Sequence, residues 1–246
     1  MFIPATFRQN DLAEICAFIR THSLATLIAP NGEVAHIPMI LQTKENGDMV
    51  LLGHCFKHNP IVSAMSQPQS WLAIFQENGH YISPNWYPNK AITHKEVPTW
   101  NYQAVHIRGT LRQLDDVVAV LAAQTDFWEN NLPNNTPWQL SDAPEDYLQA
   151  LYKAIVCFEI KIEKTEAQFK LSQNKDAATK QRICQHLHQI NSPQANVMAD
   201  LIERYESNDG YVYFSLTNTD VILSEPAISS SLNNVISSFS SRCAIT

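Results

Sequence analysis

Glycine is scarce in this chain, six in 246 residues. They build no G-x-G-x-x-G or G-x-x-x-x-G-K-[ST] run, which removes the two commonest phosphate-cradling loops. No G-x-S-x-G or H-E-x-x-H occurs either, so neither a nucleophile elbow nor a helical zinc-hydrolase pair is expected. The five cysteines (Cys16, Cys55, Cys157, Cys184, Cys243) have no C-x-x-C spacing and read as reduced thiols. No apolar run is long enough to span a bilayer. The opening MFIPATFRQNDLAEI has no basic head before an apolar stretch, so a secretion signal is not expected and a cytoplasmic location is. Charged residues make up 17% with a net charge of -7, which disfavours broad, sequence-independent nucleic-acid binding. Nine histidines are present, yet His186 and His188 lie two apart on an expected helix and face apart. His54 and His58 straddle a strand end, so these histidines read as surface or satisfied core and no metal centre is expected.

Apolar residues supply 45% of the chain, enough for one generous domain, with or without an appendage. Three of the six glycines follow an asparagine between apolar runs: Gly32, Gly47 and Gly79. Asn-Gly there predicts type I′ hairpin turns, pairing Leu24–Ala29 with Glu33–Leu41, and the signal recurs ahead of strand Asp48–Cys55 and after strand Ser70–Gln76. The expected sheet is an antiparallel meander. AVHIRGTLRQL alternates with Val105, Ile107 and Leu111 on one face. AIVCFEIKIEKTE alternates likewise and makes another strand. Helices are expected from Asp11 to about His22, from Asp115 through Trp128, and from Asp142 through Tyr152 with a capping box at Glu145. Two more run from Asp176 to about Gln189 and from Pro193 to about Tyr205. The second of that pair carries Asp200, Glu203 and Glu206 against Arg204, a poor face for phosphate-lined DNA, so a packing hairpin is preferred. YVYFSL offers one more strand, and a serine-rich extension of unknown role follows.

Two stretches suggest a ligand. Tyr81–Tyr102 (YISPNWYPNKAITHKEVPTWNY) holds three prolines, two tryptophans and three tyrosines, with cationic Lys90 and Lys95. A long loop so aromatic is costly in water and too polar for plain core. It fits the wall of a site for a flat anionic molecule, against the plainer reading of rings packed on their own domain. Lys57 and His58 precede Asn59-Pro60, a cap and first position for a short helix whose free amides attract anions. Cations, amides and aromatics without an acid–base pair suit a planar phosphate-bearing cofactor better than hydrolysis.

The ordered motifs of the chain resemble the PaiB-type FMN-binding negative transcriptional regulators, a branch of the FMN-binding split-barrel flavoproteins. They are MFIPATF at the start, His36-Ile37-Pro38, KHNP at 57–60, YISPNWYPNK at 81–90, VPTWNY at 97–102, SDAP at 141–144, AIV with FEI at 154–160, and KLSQN at 170–174. The resemblance covers Met1 to about Tyr205. It implies an α+β split β-barrel over residues 1–175 and a helical hairpin over 176–206, with residues 207–246 as the extension. It also implies a homodimer holding FMN near the subunit interface. Carried over, His36, Ile37 and Pro38 lie along the flavin, and Lys57, His58 and Asn59 hold the phosphate. Trp86, Tyr87 and Lys90, with Pro98, Thr99 and Trp100, wall the ring and ribityl chain, and Lys170, Gln173 and Asn174 complete the pocket. The family usually has arginine at Lys57, a small residue at Phe56 and glycine at Cys157. Lysine lacks the arginine fork, which weakens phosphate recognition. The implied role is an FMN-binding repressor acting on DNA directly or through a DNA-binding partner. The rivals are a flavin-dependent oxidoreductase or haem-degrading enzyme, and a cofactor-free interaction protein.

Overall fold

The computed structural model describes residues 1–133 and 136–207. The strand expected in YVYFSL and the serine-rich extension lie outside the described residues. The strands are β1 (Arg8–Gln9), β2 (Leu24–Ile28), β3 (Val34–Pro38), β4 (Ile40–Thr43), β5 (Met49–Phe56), β6 (Ser70–Gln76), β7 (His80–Ile82), β8 (Thr99–Leu114) and β9 (Ile155–Lys170). The α-helices are α1 (Leu12–Thr21), α2 (Lys90–Thr93), α3 (Val117–Glu129), α4 (Glu145–Tyr152), α5 (Ala177–Ile190) and α6 (Pro193–Ser207).

The Asn-Gly turns are present with a different geometry from the expected one. Gly32 and Gly47 take φ of +89° and +85°, but neither preceding asparagine has positive φ. The Gly32 amide donates to Ala29 O and the Ala29 amide to Glu33 O, both at 2.9 Å. This is a type I turn closed by a left-handed glycine, not type I′. Pro30 explains the choice, because its fixed negative φ suits the second position of a type I turn. Lys44–Gly47 repeats the pattern, with Gly47 N donating to Lys44 O at 2.9 Å.

The sheet is antiparallel throughout, but it is not a meander. Its order is β3-β2-β6-β8-β9-β5-β4, with β1 on β9 and β7 on β8. Neighbours β2 and β6, and β9 and β5, are far apart in sequence, beyond what local turn signals report. The run expected as one strand from Glu33 to Leu41 is two strands at opposite ends of that order. Met39 alone separates them: fully buried, it carries the chain from β3 to β4. The two edges therefore meet without a ladder between them. Gly53 of β5 lets them approach, since a Cβ there would stand 3.2 Å from Ile37 Cγ2 of β3 and 3.0 Å from the Phe158 ring. This is a split barrel.

The barrel interior is one cluster built on Trp71, Phe75, Phe158, Phe169, Leu27, Leu51 and Ile107. The same cluster takes Phe18 and Ile19 from α1 and Ile183, Leu187, Met198 and Ile202 from α5 and α6. A second cluster outside the barrel joins Ile40, Leu52 and Cys157 to Val120, with Phe127 and Trp128 packed against it. Helix α3 thus lies on the outer face of β4, β5 and β9. Its cap is Asp116, whose carboxylate accepts from Ala119 N at 3.0 Å. The box expected at Asp142 and Glu145 is displaced: Asp142 pairs with Gln139, and Pro144 stands at the α4 N-cap position.

Candidate functional site

A cleft of about 430 Å³ opens at the barrel split. Its walls are His36, Ile37 and Pro38 from β3, His54, Cys55 and Phe56 from β5, Asn59, Leu121 of α3, Leu151 of α4, and Ile155. Strand alternation buries Ile37 and Cys55 and leaves His36, Pro38 and Phe56 exposed. Phe56 is 65% exposed, a large apolar ring at the rim. Lys57 and His58 follow it, both exposed. The Lys57 amide donates to Ala154 O at 2.9 Å, which closes the end of the β5–β9 ladder. Asn59 caps as expected, its side chain accepting from Ile61 N at 3.2 Å. What it caps is a 3-10 turn, Pro60–Ala64. So short an element has little dipole to offer an anion.

Behind the cleft wall lies a polar device that the motifs do not reveal. Gln124 of α3 is 2% exposed. Its Nε2 donates to Pro38 O on β3 and to Leu52 O on β5, each at 3.2 Å. Its Oε1 stands 2.6 Å from His54 Nδ1. One side-chain amide therefore bridges both edges of the split and holds a cleft histidine. The signal in the sequence is Val120, Gln124 and Trp128 at i, i+4 and i+8. A glutamine inside that apolar stripe must be buried, and a buried amide needs partners.

The remaining expected site residues lie elsewhere on the protomer. Tyr102 pairs with Lys170 at one end of the β8–β9 ladder, whereas Leu114 pairs with Cys157 at the other. The cleft is at the second end, next to Ile155. Lys170 Nζ donates to Thr99 Oγ1 at 2.5 Å and lies 5.7 Å from the Phe7 ring centre. Desolvation lowers its pKa from the usual lysine value. Trp100 is 54% exposed and meets Tyr81 edge-on, ring centres 6.3 Å apart. Pro98 and Asn174 are also exposed. The Gln173 amide is engaged by its own turn, accepting from Leu171 N at 2.7 Å and donating to Phe169 O.

The other half of the aromatic loop is anchored to the C-terminal helices and their approach. Trp86 stacks on His186 of α5 at 5.4 Å. Buried Tyr87 lies under Lys175, whose Nζ is 4.4 Å from the ring centre and donates to Glu96 at 2.8 Å. Lys90 Nζ donates to Asn85 Oδ1 at 2.5 Å. Within one protomer the structure thus brings His36, Ile37, Pro38 and Asn59 together, with Lys57 and His58 alongside. It brings Thr99 and Lys170 together at the far end of the ladder. It does not join the two groups.

A planar, phosphate-bearing cofactor fits the nearer group. The volume is in the range of small-molecule sites. The lining is apolar with histidine and amide groups, and a lysine stands beside it. Residues 1–164 match the family described as "Putative FMN-binding domain". The chain is 30% identical to the "Protease synthase and sporulation protein PAI 2" of Bacillus subtilis, over 82% of this chain and 97% of that protein. It is 27% identical to an uncharacterized protein of Emericella nidulans, over 85% and 99%. A solved FAD- and heme-binding protein of Mycobacterium smegmatis aligns with 93% of this chain and 96% of its own at 13% identity, with a TM-score of 0.48. Among the described residues, no helix is long and apolar enough to cross a membrane. With two thirds of its length matched, the chain belongs to the FMN-binding domain family, and FMN is its cofactor.

Proposed function

We propose that this protein is an FMN-binding regulator that works as a homodimer, each flavin being held by residues of two copies. The observation that carries the reading is the separation of two site-like groups along the β8–β9 ladder. One copy offers His36, Pro38, Lys57 and Asn59. The other presents Thr99, Trp100 and Lys170, with Trp100 exposed although aromatic. An exposed ring, and next to it in β8 a threonine that holds a partly desolvated lysine, are what a partner surface or a ligand would cover. Residues from both copies would then complete one pocket, twice, by two-fold symmetry.

A regulatory role is supported by the motifs shared with the negative regulators and by similarity to the Bacillus subtilis protein, which is named for protease synthesis and sporulation. The net charge of -7 and the acidic α6 favour action through a DNA-binding partner over direct contact.

The test mixes two deficient variants. Lys57→Ala and Trp100→Ala are each expected to weaken FMN binding. Co-expressed, they form mixed dimers in which one site carries both lesions and the other neither. On the order of a quarter of wild-type sites then recover, as random pairing of two-fold dimers requires. No recovery, or a monomer by light scattering, rejects the shared site. Steady oxidation of NAD(P)H by the yellow protein would instead identify a flavin oxidoreductase.

A further inference from the structure

The Gln124 amide has a fixed orientation. Nε2 faces two carbonyl oxygens, Pro38 O and Leu52 O, both at 3.2 Å. Carbonyls only accept, so the NH2 group must stand there and Oε1 must face His54. Because Oε1 also only accepts, His54 Nδ1 carries the proton in the 2.6 Å contact between them. In the neutral ring the remaining nitrogen, Nε2, is then bare. No partner for it occurs among the described residues, and His54 lines the cleft. The backbone of both barrel edges thereby dictates the tautomer of a histidine in the site.

We propose that His54 Nε2 is an acceptor-only contact that selects the imide N3–H of the flavin ring. This inference rests on the reading that the cleft takes FMN. Around His54 the walls are Ile37, Cys55, Leu121, Leu151 and Ile155, apolar surfaces suited to a ring. Lys57 stands three residues beyond His54, past the end of β5, so a phosphate held by Lys57 would leave His54 to the ring. Oxidised isoalloxazine has one ring N–H, at N3, and its other ring heteroatoms accept. A bare nitrogen repels those acceptors and attracts the imide. A ribityl hydroxyl can also donate to that nitrogen, but it turns to suit either polarity and so is not selected by it, and the apolar walls favour the ring. Neither His54 nor Gln124 belongs to the family motifs named above, so the contact is an addition to them.

The test compares FMN with N3-methyl-FMN by fluorescence quenching. Wild-type protein is expected to prefer FMN by about tenfold, the worth of one lost hydrogen bond in a closed site. In His54→Leu that preference falls to near parity. Equal binding of both flavins by the wild type overturns the inference and leaves the proposed cofactor intact. Failure of both flavins to bind overturns the proposed function as well. A ligand-free measurement guards against a variant that folds poorly. Nitrogen-15 NMR of the wild type at mildly alkaline pH should show the His54 proton on Nδ1, and a proton on Nε2 overturns the proposal outright.

Discussion

The side-chain oxygen of Gln124 lies 2.6 Å from His54 Nδ1, while the nitrogen of the same amide reaches the carbonyls of two strands that share no ladder. A single residue on an outer helix thus supplies the polar contact across the barrel split. Gln124→Leu keeps the volume but leaves two carbonyls and one imidazole unsatisfied. It should cost about 2–4 kcal/mol in urea denaturation. Flavin affinity should fall with it, because β3 and β5 are the two walls of the cleft. Unchanged stability would mean that the split is held by packing alone.

Gly109 sits at the β8 bulge opposite β9. A Cβ added there would stand 1.9 Å from Lys161 O, a backbone atom that cannot rotate away. Gly109→Ala should lose on the order of 3 kcal/mol or more, or fail to fold. Gly53→Ala meets the Phe158 ring at 3.0 Å and Ile37 at 3.2 Å, side chains able to yield. Its loss should be about 1–2 kcal/mol, and thermal melts will rank the pair.

Trp86 and Trp100 come from one aromatic loop but should respond differently. Trp100 is half exposed, so Trp100→Ala should leave the melting temperature nearly unchanged. It should weaken FMN binding by about 0.5–1.5 kcal/mol if the ring meets flavin in the proposed dimer. Trp86 packs against the core and stacks on His186. Trp86→Ala should lower stability first, by about 1–3 kcal/mol. Paired melts and titrations distinguish the two effects.

Glu159 is nearly buried at the β8–β9–β5 junction, where burial alone would raise its pKa. Lys44 at 2.7 Å and Arg112 at 2.8 Å outweigh that and hold it below the usual carboxylate value. A carboxylate depressed on folding stabilises the fold at pH values above its unfolded pKa. That contribution disappears as pH falls through the folded value. His22 acts in the same direction: burial against Phe18 lowers its pKa, so protonation in acid opposes folding. Wild-type stability should therefore fall on acidification, and Glu159→Gln should flatten the carboxylate part of the profile in denaturation curves taken across pH.

The thiols of Cys55 and Cys157 are each pushed up to about 11 by burial. They stay protonated at neutral pH, and only thiolate attacks alkylating agents. In the folded protein both should resist iodoacetamide until denaturant is added. Rapid labelling of either would show that the β5–β9 ladder opens readily.

Local chemistry was the legible part of this sequence. Asn31-Gly32 and Asn46-Gly47 each close a hairpin, Asp11 and Asn59 cap where expected, and the expected strand Ser70–Gln76 is β6. Asn78-Gly79, by contrast, leads into β7, which pairs with β8 and not β6. The turn type depends on Pro30 at the second turn position, which the Asn-Gly pair alone does not show. VAHIPMILQT looked like one strand because burial continues through Met39, and no local feature marks the passage between two sheet edges. Tyr87 and Trp86 had the composition of a ligand wall, and within the protomer they pack on the Lys175 and His186 side chains instead. Composition states that rings must be covered, not what covers them. Gln124 was passed over because an apolar stripe was read for its apolar members.

The chain's passage at Met39 also governs how the cleft can change shape. Pro38, Ile40 and Leu52 bring the two rims to an apex there, fixed by covalent chain and by ladder, while His36 and Phe56 stand at the mouth. Widening is consequently a pivot about residue 39, not a parallel parting of walls. A wedge of this kind accommodates differences in ligand thickness at its outer end and tolerates almost none at its inner one, so thickness at the inner edge becomes the steric criterion for entry.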